Sequence, residues 1–229
     1  MCTWSVVLPV KGSLGKSRLL LDDPGARARL AVAFALDTIA AASAARQVER
    51  IVVVSADARL RGALRGVQVV EDPLTGLNAA IRAGLEALEG RRPAAVLLAD
   101  LPALAPGELD SALEAASKHP LAMVPDAAGT GTTLTTALRA DALVPRFGEG
   151  SRRAHHSAGH LELDVSPTSG LRRDVDDLAD LEAVALRAGV HTRAVLSSLS
   201  GVTAPTAAPS AQGSFEPSEI TPEGPLLAS

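Results

Sequence analysis

Five short runs constrain the fold more than anything else in the chain: SVVLPV (5–10), ERIVVVSAD (49–57), GVQVVED (66–72), AAVLLADLP (94–102) and LAMVPD (121–126). Each is dense in Val, Leu, Ile or Ala, with its polar residues near the ends. Continuous apolar runs of this length fit strands buried on both faces, the condition of a parallel sheet. Between them lie helical stretches: ARARLAVAFALDTIAAASAA (26–45), GLNAAIRAGLEALEG (76–90) and APGELDSALEAASK (105–118). Leu30, Phe34 and Ile39 fall near one face of the first. Pro106 suits a first helical turn, Gly90 a C-cap, and Asp57 the cap of a short helix. Strand alternating with helix predicts an α/β fold, a Rossmann-like doubly wound, mostly parallel sheet with helices on both faces and right-handed crossovers.

Composition narrows the class. The chain has 229 residues, enough for one sizeable domain, with 47% apolar and only 2% aromatic residues. The core must therefore be aliphatic. A net charge of −4, without a long block of one sign, does not ask for a nucleic-acid partner. The single cysteine, Cys2, offers no internal disulfide. Neither a membrane-length apolar stretch nor a signal-peptide pattern is evident, so a soluble cytoplasmic protein is expected, and an edge strand offers a route to a homodimer. From about residue 199 the chain turns rich in Ala, Pro, Ser and Thr and loses periodicity. The expected organisation is one domain over 1–198 and a disordered tail over 199–229.

Ligands of doubly wound sheets bind at the carboxyl ends of the strands. After the first run stands KGSLGKSRL (11–19). Its Gly-Lys-Ser suggests a P-loop, but the required earlier glycine would sit at Val10, whose β-branched side chain resists that backbone. What survives is a loop carrying Lys11, Lys16 and Arg18, suited to a polyanion or simply solvated. Asp100 follows an otherwise apolar strand and could hold Mg²⁺ or cap a helix. In RRDVDDLADL (172–181), Asp174 and Asp176 are two apart on an extended segment and point to opposite faces; Asp176 meeting Asp100 would make a two-carboxylate metal site. This segment is expected to be a short strand leading into a helix capped at Asp176 or Asp177. GTGTT (129–133) and RFGEGS (146–151) suit close wrapping of a small oxyanion, or tight turns between strands. The adjacent His155 and His156 lack the spacing of helical metal ligands. No nucleophile stands out, so the chemistry indicated is phosphoryl or nucleotidyl transfer, which needs positioning and charge neutralisation.

Taken in order, VVLPVKGSLGKSRL, DPLTGLNAAIRAG, LLADLPAL, PDAAGTGTTLTTAL, PRFGEGS and LRRDVDDLADL resemble the 2-phospho-L-lactate and phosphoenolpyruvate guanylyltransferases of coenzyme F-420 biosynthesis. The resemblance covers roughly residues 5 to 195. It implies a nucleotidyltransferase that joins GTP to a phosphorylated acid and releases diphosphate, with Mg²⁺ as cofactor. It implies Lys16 and Arg18 as catalytic, Lys11 and Asn78 at GTP, Thr132, Gly148 and Ser151 at the acceptor, and Asp100 and Asp176 on the metal. Phosphoenolpyruvate is the preferred acceptor, with 2-phospho-L-lactate the alternative. The chain departs from the family pattern at Ala127 or Ala128, Thr133 and Ala154. A molybdenum-cofactor-type guanylyltransferase fits less well, since its Gly-Gly-rich opening loop is missing. A non-catalytic nucleotide binder would not need both acids.

Overall fold

The computed structural model describes residues 2–10, 24–57, 60, 64–88 and 92–200. Seven strands form one sheet: β1 (Trp4–Pro9), β2 (Val48–Val54), β3 (Gln68–Val70), β4 (Ala94–Leu97), β5 (Leu121–Pro125), β6 (Thr132–Ala137) and β7 (Leu161–Glu162). Their order is β3-β2-β1-β4-β6-β5-β7. The pairings β1–β2, β1–β4, β2–β3 and β5–β7 are parallel, while β6 is antiparallel to both β4 and β5. The helices are α1 (Pro24–Ala44), α2 (Leu77–Glu86), α3 (Pro106–Ala116), α4 (Ser151–Ser157), α5 (Leu178–Val184) and α6 (Val190–Ser200).

The sheet is buried on both faces because alternate residues serve different cores. Val6 and Leu8 pack with Ile39 of α1 and Leu109 of α3. Val7 packs on the other side with Val52, Val54 and Ile81 of α2. Helix α2 comes close through Gly84, where a Cβ would lie 2.4 Å from Val7 Cγ1. A third cluster joins Leu30 and Phe34 of α1 to α5 and the partly buried Leu199 of α6. Asp37 of α1 accepts the His191 and Thr192 N–H groups at 3.0 and 2.9 Å and so caps α6.

All five expected strands form; β1 begins one residue earlier than its run and keeps its length, and the other four are shorter than the runs that encode them. Three features differ from expectation. TTLTTA, expected only as part of a Gly/Thr-rich region, is strand β6 and fully buried. The segment after Gly170 pairs with no strand; it opens with a 3₁₀ turn, Gly170–Arg172. A Cβ at Gly170 would lie 2.1 Å from the Ala103 carbonyl oxygen, so the chain must turn as it passes that backbone. Helix α5 then starts at Asp177, whose carboxylate accepts the Asp180 N–H while Asp180 accepts back from Asp177 N–H, a capping box. Helix α6 runs two residues past the boundary expected at 198, to Ser200. The tail from 201, Gly90 and the short helix expected after Asp57 lie outside the described residues, apart from Leu60. Among the described residues no helix is long and apolar enough to cross a membrane.

Candidate functional site

The strand order reverses direction between β1 and β4, and the carboxyl ends of these two strands and β5 lie at one edge of the sheet. Asp100 lies three residues past β4, half-buried. Its carbonyl accepts the Val175 N–H at 3.1 Å, which draws the 173–176 segment to it. Asp174, half-buried, thereby enters the site. Burial raises its carboxyl from the ordinary 3.8 to about 7, helped by the negative charges of Asp100 first, then Asp176 and Asp126. Four aspartates are thus electrostatic neighbours. Asp176, expected as the second metal ligand, is exposed, whereas Asp174 interacts most strongly with Asp100.

The acceptor candidates are built by the β5–β6 hairpin and the start of α4. Asp126 folds the hairpin turn: its carboxylate accepts Thr130 N–H at 2.9 Å and Gly131 N–H at 2.7 Å. At Gly131 a Cβ would stand 2.3 Å from Asp126 Oδ2 and 3.8 Å from Ser151 Oγ, so the hydroxyl lies against this turn. The Asp126 carbonyl in turn accepts from Arg172 Nη2 at 3.0 Å. Thr132 opens β6 and Ser151 opens α4; both side chains are buried. Gly148, with φ 126°, turns the chain into α4, and its carbonyl accepts the Ser151 N–H at 3.1 Å. The Asp126 and Gly148 turns therefore bring the start of β6, with Thr132, beside the start of α4, with Ser151. A groove of about 990 Å³ opens beside them, lined by Gly129, Thr130, Gly150, Arg153 and His156.

His155 braces the turn from beneath. It is fully buried, lies edge-on to Phe147 at 4.9 Å, and its Nε2 accepts the Arg146 N–H at 3.2 Å. That bond leaves the proton on Nδ1, which donates to Thr132 Oγ1 at 3.1 Å. Burial, then the nearby His160 and Arg146, depress its pKa from 6.5 to about 4, so the ring is neutral at physiological pH.

Of the residues expected at the nucleotide, Lys11, Lys16 and Arg18 lie outside the described residues. A small cleft of about 40 Å³ between Val10, Leu77, Leu98 and Asp100 marks the floor between β1 and β4. Asn78, expected at guanosine, has its amide engaged by backbone: Oδ1 accepts the Phe147 N–H and Nδ2 donates to the Phe147 carbonyl, both at 2.9 Å. Sequence reasoning gave Asp174, Asp126 and His155 no role in the site, although the end of a strand run points to Asp126, the alternation of RRDVDD to Asp174 and the place beside Ser151 to His155.

Among the described residues no three His, Cys, Asp or Glu side chains stand ready as a complete metal cage. Mg²⁺ at a phosphate site needs only one or two carboxylates, its other positions going to phosphate oxygens and water. The donors here, Asp174 raised to about 7 by burial and then by the charges of Asp100, Asp176 and Asp126, are carboxylates whose mutual charge a cation would offset, and they fit such a cation.

The MobA-like NTP transferase domain family matches residues 29–162. The phosphoenolpyruvate guanylyltransferase of Streptomyces coelicolor is 44% identical over 205 residues, spanning 86% of this chain and 97% of that protein. The chain belongs to the phosphoenolpyruvate guanylyltransferase family. Solved structures share its fold at low identity. A nucleotidyl transferase of Methanothermobacter thermautotrophicus aligns with TM-score 0.56 at 19% identity, over 86% of this chain and 99% of that one. A Mycobacterium tuberculosis protein solved in complex with manganese aligns with TM-score 0.54 at 21% identity, over 79% and 96%. Family membership makes the chain a nucleotidyltransferase-type domain, with its strand-end site where this fold class binds ligands.

Proposed function

We propose that the protein condenses GTP with phosphoenolpyruvate to give enolpyruvoyl-2-diphospho-5'-guanosine and diphosphate, in the biosynthesis of coenzyme F-420. A phosphate oxygen of phosphoenolpyruvate attacks the α-phosphorus of GTP; the bond from α-phosphorus to the bridging oxygen breaks, and diphosphate leaves with that electron pair. One observation carries this assignment: Asp126 serves two groups at once. Its carboxylate folds the Gly-Thr turn beside Thr132 and Ser151, and its charge also acts on Asp174 in the acid cluster. This supports an oxyanion cradle and a cation site at one strand edge, as an anionic acceptor and a nucleoside triphosphate require.

Thr132, Gly148 and Ser151 would hold the acceptor by hydroxyl and backbone donors. Asp100, with Asp174 or Asp176, would hold Mg²⁺, which when bound neutralises phosphate charge. Lys11, Lys16 and Arg18 would meet the GTP phosphates, Lys16 and Arg18 stabilising the charge that develops on transfer. No protein nucleophile is needed, because the acceptor supplies it.

The deciding experiment is the mass of the product made by purified protein from GTP, Mg²⁺ and phosphoenolpyruvate, with 2-phospho-L-lactate run in parallel. A guanylated enolpyruvate with matching diphosphate release is expected. Diphosphate release with 2-phospho-L-lactate alone would reassign the acceptor, and none with either acid would refute the proposal.

A further inference from the structure

We propose that Asn78 is a positioning residue for the acceptor cradle rather than a contact for guanine, an inference that rests on the acceptor assignment above. Asn78 is 69 residues from Phe147 in sequence, yet its amide closes a two-point pair with that residue's N–H and C=O. The pairing fixes the amide's orientation, since the reverse would set an NH₂ against an N–H and an oxygen against an oxygen. Both main-chain groups of Phe147 are consumed.

The residues on either side extend the hold. Arg146 N–H is taken by His155 Nε2, and the same imidazole reaches Thr132 Oγ1. Three main-chain groups, Arg146 N–H, Phe147 N–H and Phe147 C=O, are therefore clamped between α2 on one side and α4 on the other. Gly148 follows at once, with the positive φ that swings the chain into Ser151. The clamp sets where the cradle stands relative to β6. Its other end reaches the nucleotide side, because Leu77, the neighbour of Asn78, lines the cleft with Val10 and Asp100. For Asn78 to turn toward a base it would have to abandon Phe147 and leave that half-sheltered backbone without its partners.

The test uses the full chain with GTP and phosphoenolpyruvate as probes, in Asn78→Ala and Asn78→Asp. Loss of two hydrogen bonds of this kind should raise the acceptor KM about tenfold or more in Asn78→Ala, while the GTP Kd stays within about twofold, the margin below one such bond. Asn78→Asp keeps an oxygen for the Phe147 N–H but sets its other oxygen against the Phe147 carbonyl, so it should raise the acceptor KM as well, and it carries the test if the alanine variant does not fold. Amide hydrogen exchange at Phe147–Ser151 should quicken in both. A weakened GTP Kd with unchanged acceptor KM would overturn the proposal, as would unchanged exchange over that stretch. If the wild type makes no product from phosphoenolpyruvate, the acceptor assignment falls, and exchange with GTP titration decides the clamp by itself.

Discussion

Acid should loosen the cradle through a single imidazole. His155 has its pKa depressed from 6.5 to about 4 by burial first, then by His160 and Arg146, the titratable and charged groups that face it. The sign follows from linkage. The unfolded chain binds the proton more tightly, so the stability contributed by a neutral His155 is complete above about pH 6.5 and lost as pH falls toward 4. The gap between those values corresponds to about 3 kcal/mol, of which about 2.5 kcal/mol should be gone at pH 4.5. Against a total stability of roughly 5–15 kcal/mol that loss is large. The structural reason is local: a protonated Nε2 would present a donor to the Arg146 N–H that it now accepts. The perturbation is His155→Gln, which removes the titration while keeping a polar side chain. Urea unfolding of both proteins, followed by circular dichroism from pH 7.5 to 4.5, isolates the term, because every other group titrates in both. The wild type should lose about 2.5 kcal/mol more than the variant over that range. Parallel curves, within about 0.5 kcal/mol of each other, a margin well inside the expected difference, would refute the assignment of a buried neutral His155 as the acid-sensitive brace.

The acid cluster makes the opposite prediction. Asp174 is held protonated to about pH 7, so its contribution to stability is present at low pH and fades as pH rises from 3.8 through 7. Asp174→Asn should therefore raise stability at pH 8 in chelator, by up to about 4 kcal/mol, read from unfolding midpoints. Asp100→Asn should lower turnover by about 10²–10³-fold with its circular dichroism unchanged, measured by diphosphate release; unchanged turnover would remove Asp100 from the metal set. Deleting residues 201–229 should leave kcat and KM within about twofold, since Leu199 of α6 still packs on the α1 cluster; a larger loss would give the tail a part in the site.

The parallel strands were legible because burial on both faces writes itself as unbroken apolar sequence, as in β1 and β4. β6 was not, because four of its six residues are threonines, two of whose hydroxyls donate to buried carbonyls: Thr133 to Val124 at 3.4 Å and Thr136 to Ala122 at 3.3 Å. β-branching was the available clue, and polarity masked it. At the site, Asp100 was readable from its place beyond a strand. The choice between Asp174 and Asp176 was not, because it depends on a segment that no ladder holds and that the Asp100 carbonyl positions. The pairing of Asn78 with Phe147 is a long-range contact of backbone groups, which no residue pattern records.

The reversed direction of β6 has a consequence for how such proteins diversify. In a parallel strand the opening residue sits at the far rim, away from substrates; running the strand backward delivers its opening residue, Thr132, to the working rim instead. The turn feeding it is a local hairpin, so its length and chemistry can be rewritten without rethreading the sheet. The half of the molecule proposed to receive the small acid could thus be exchanged while the half built on β1 and β4 is left as it was.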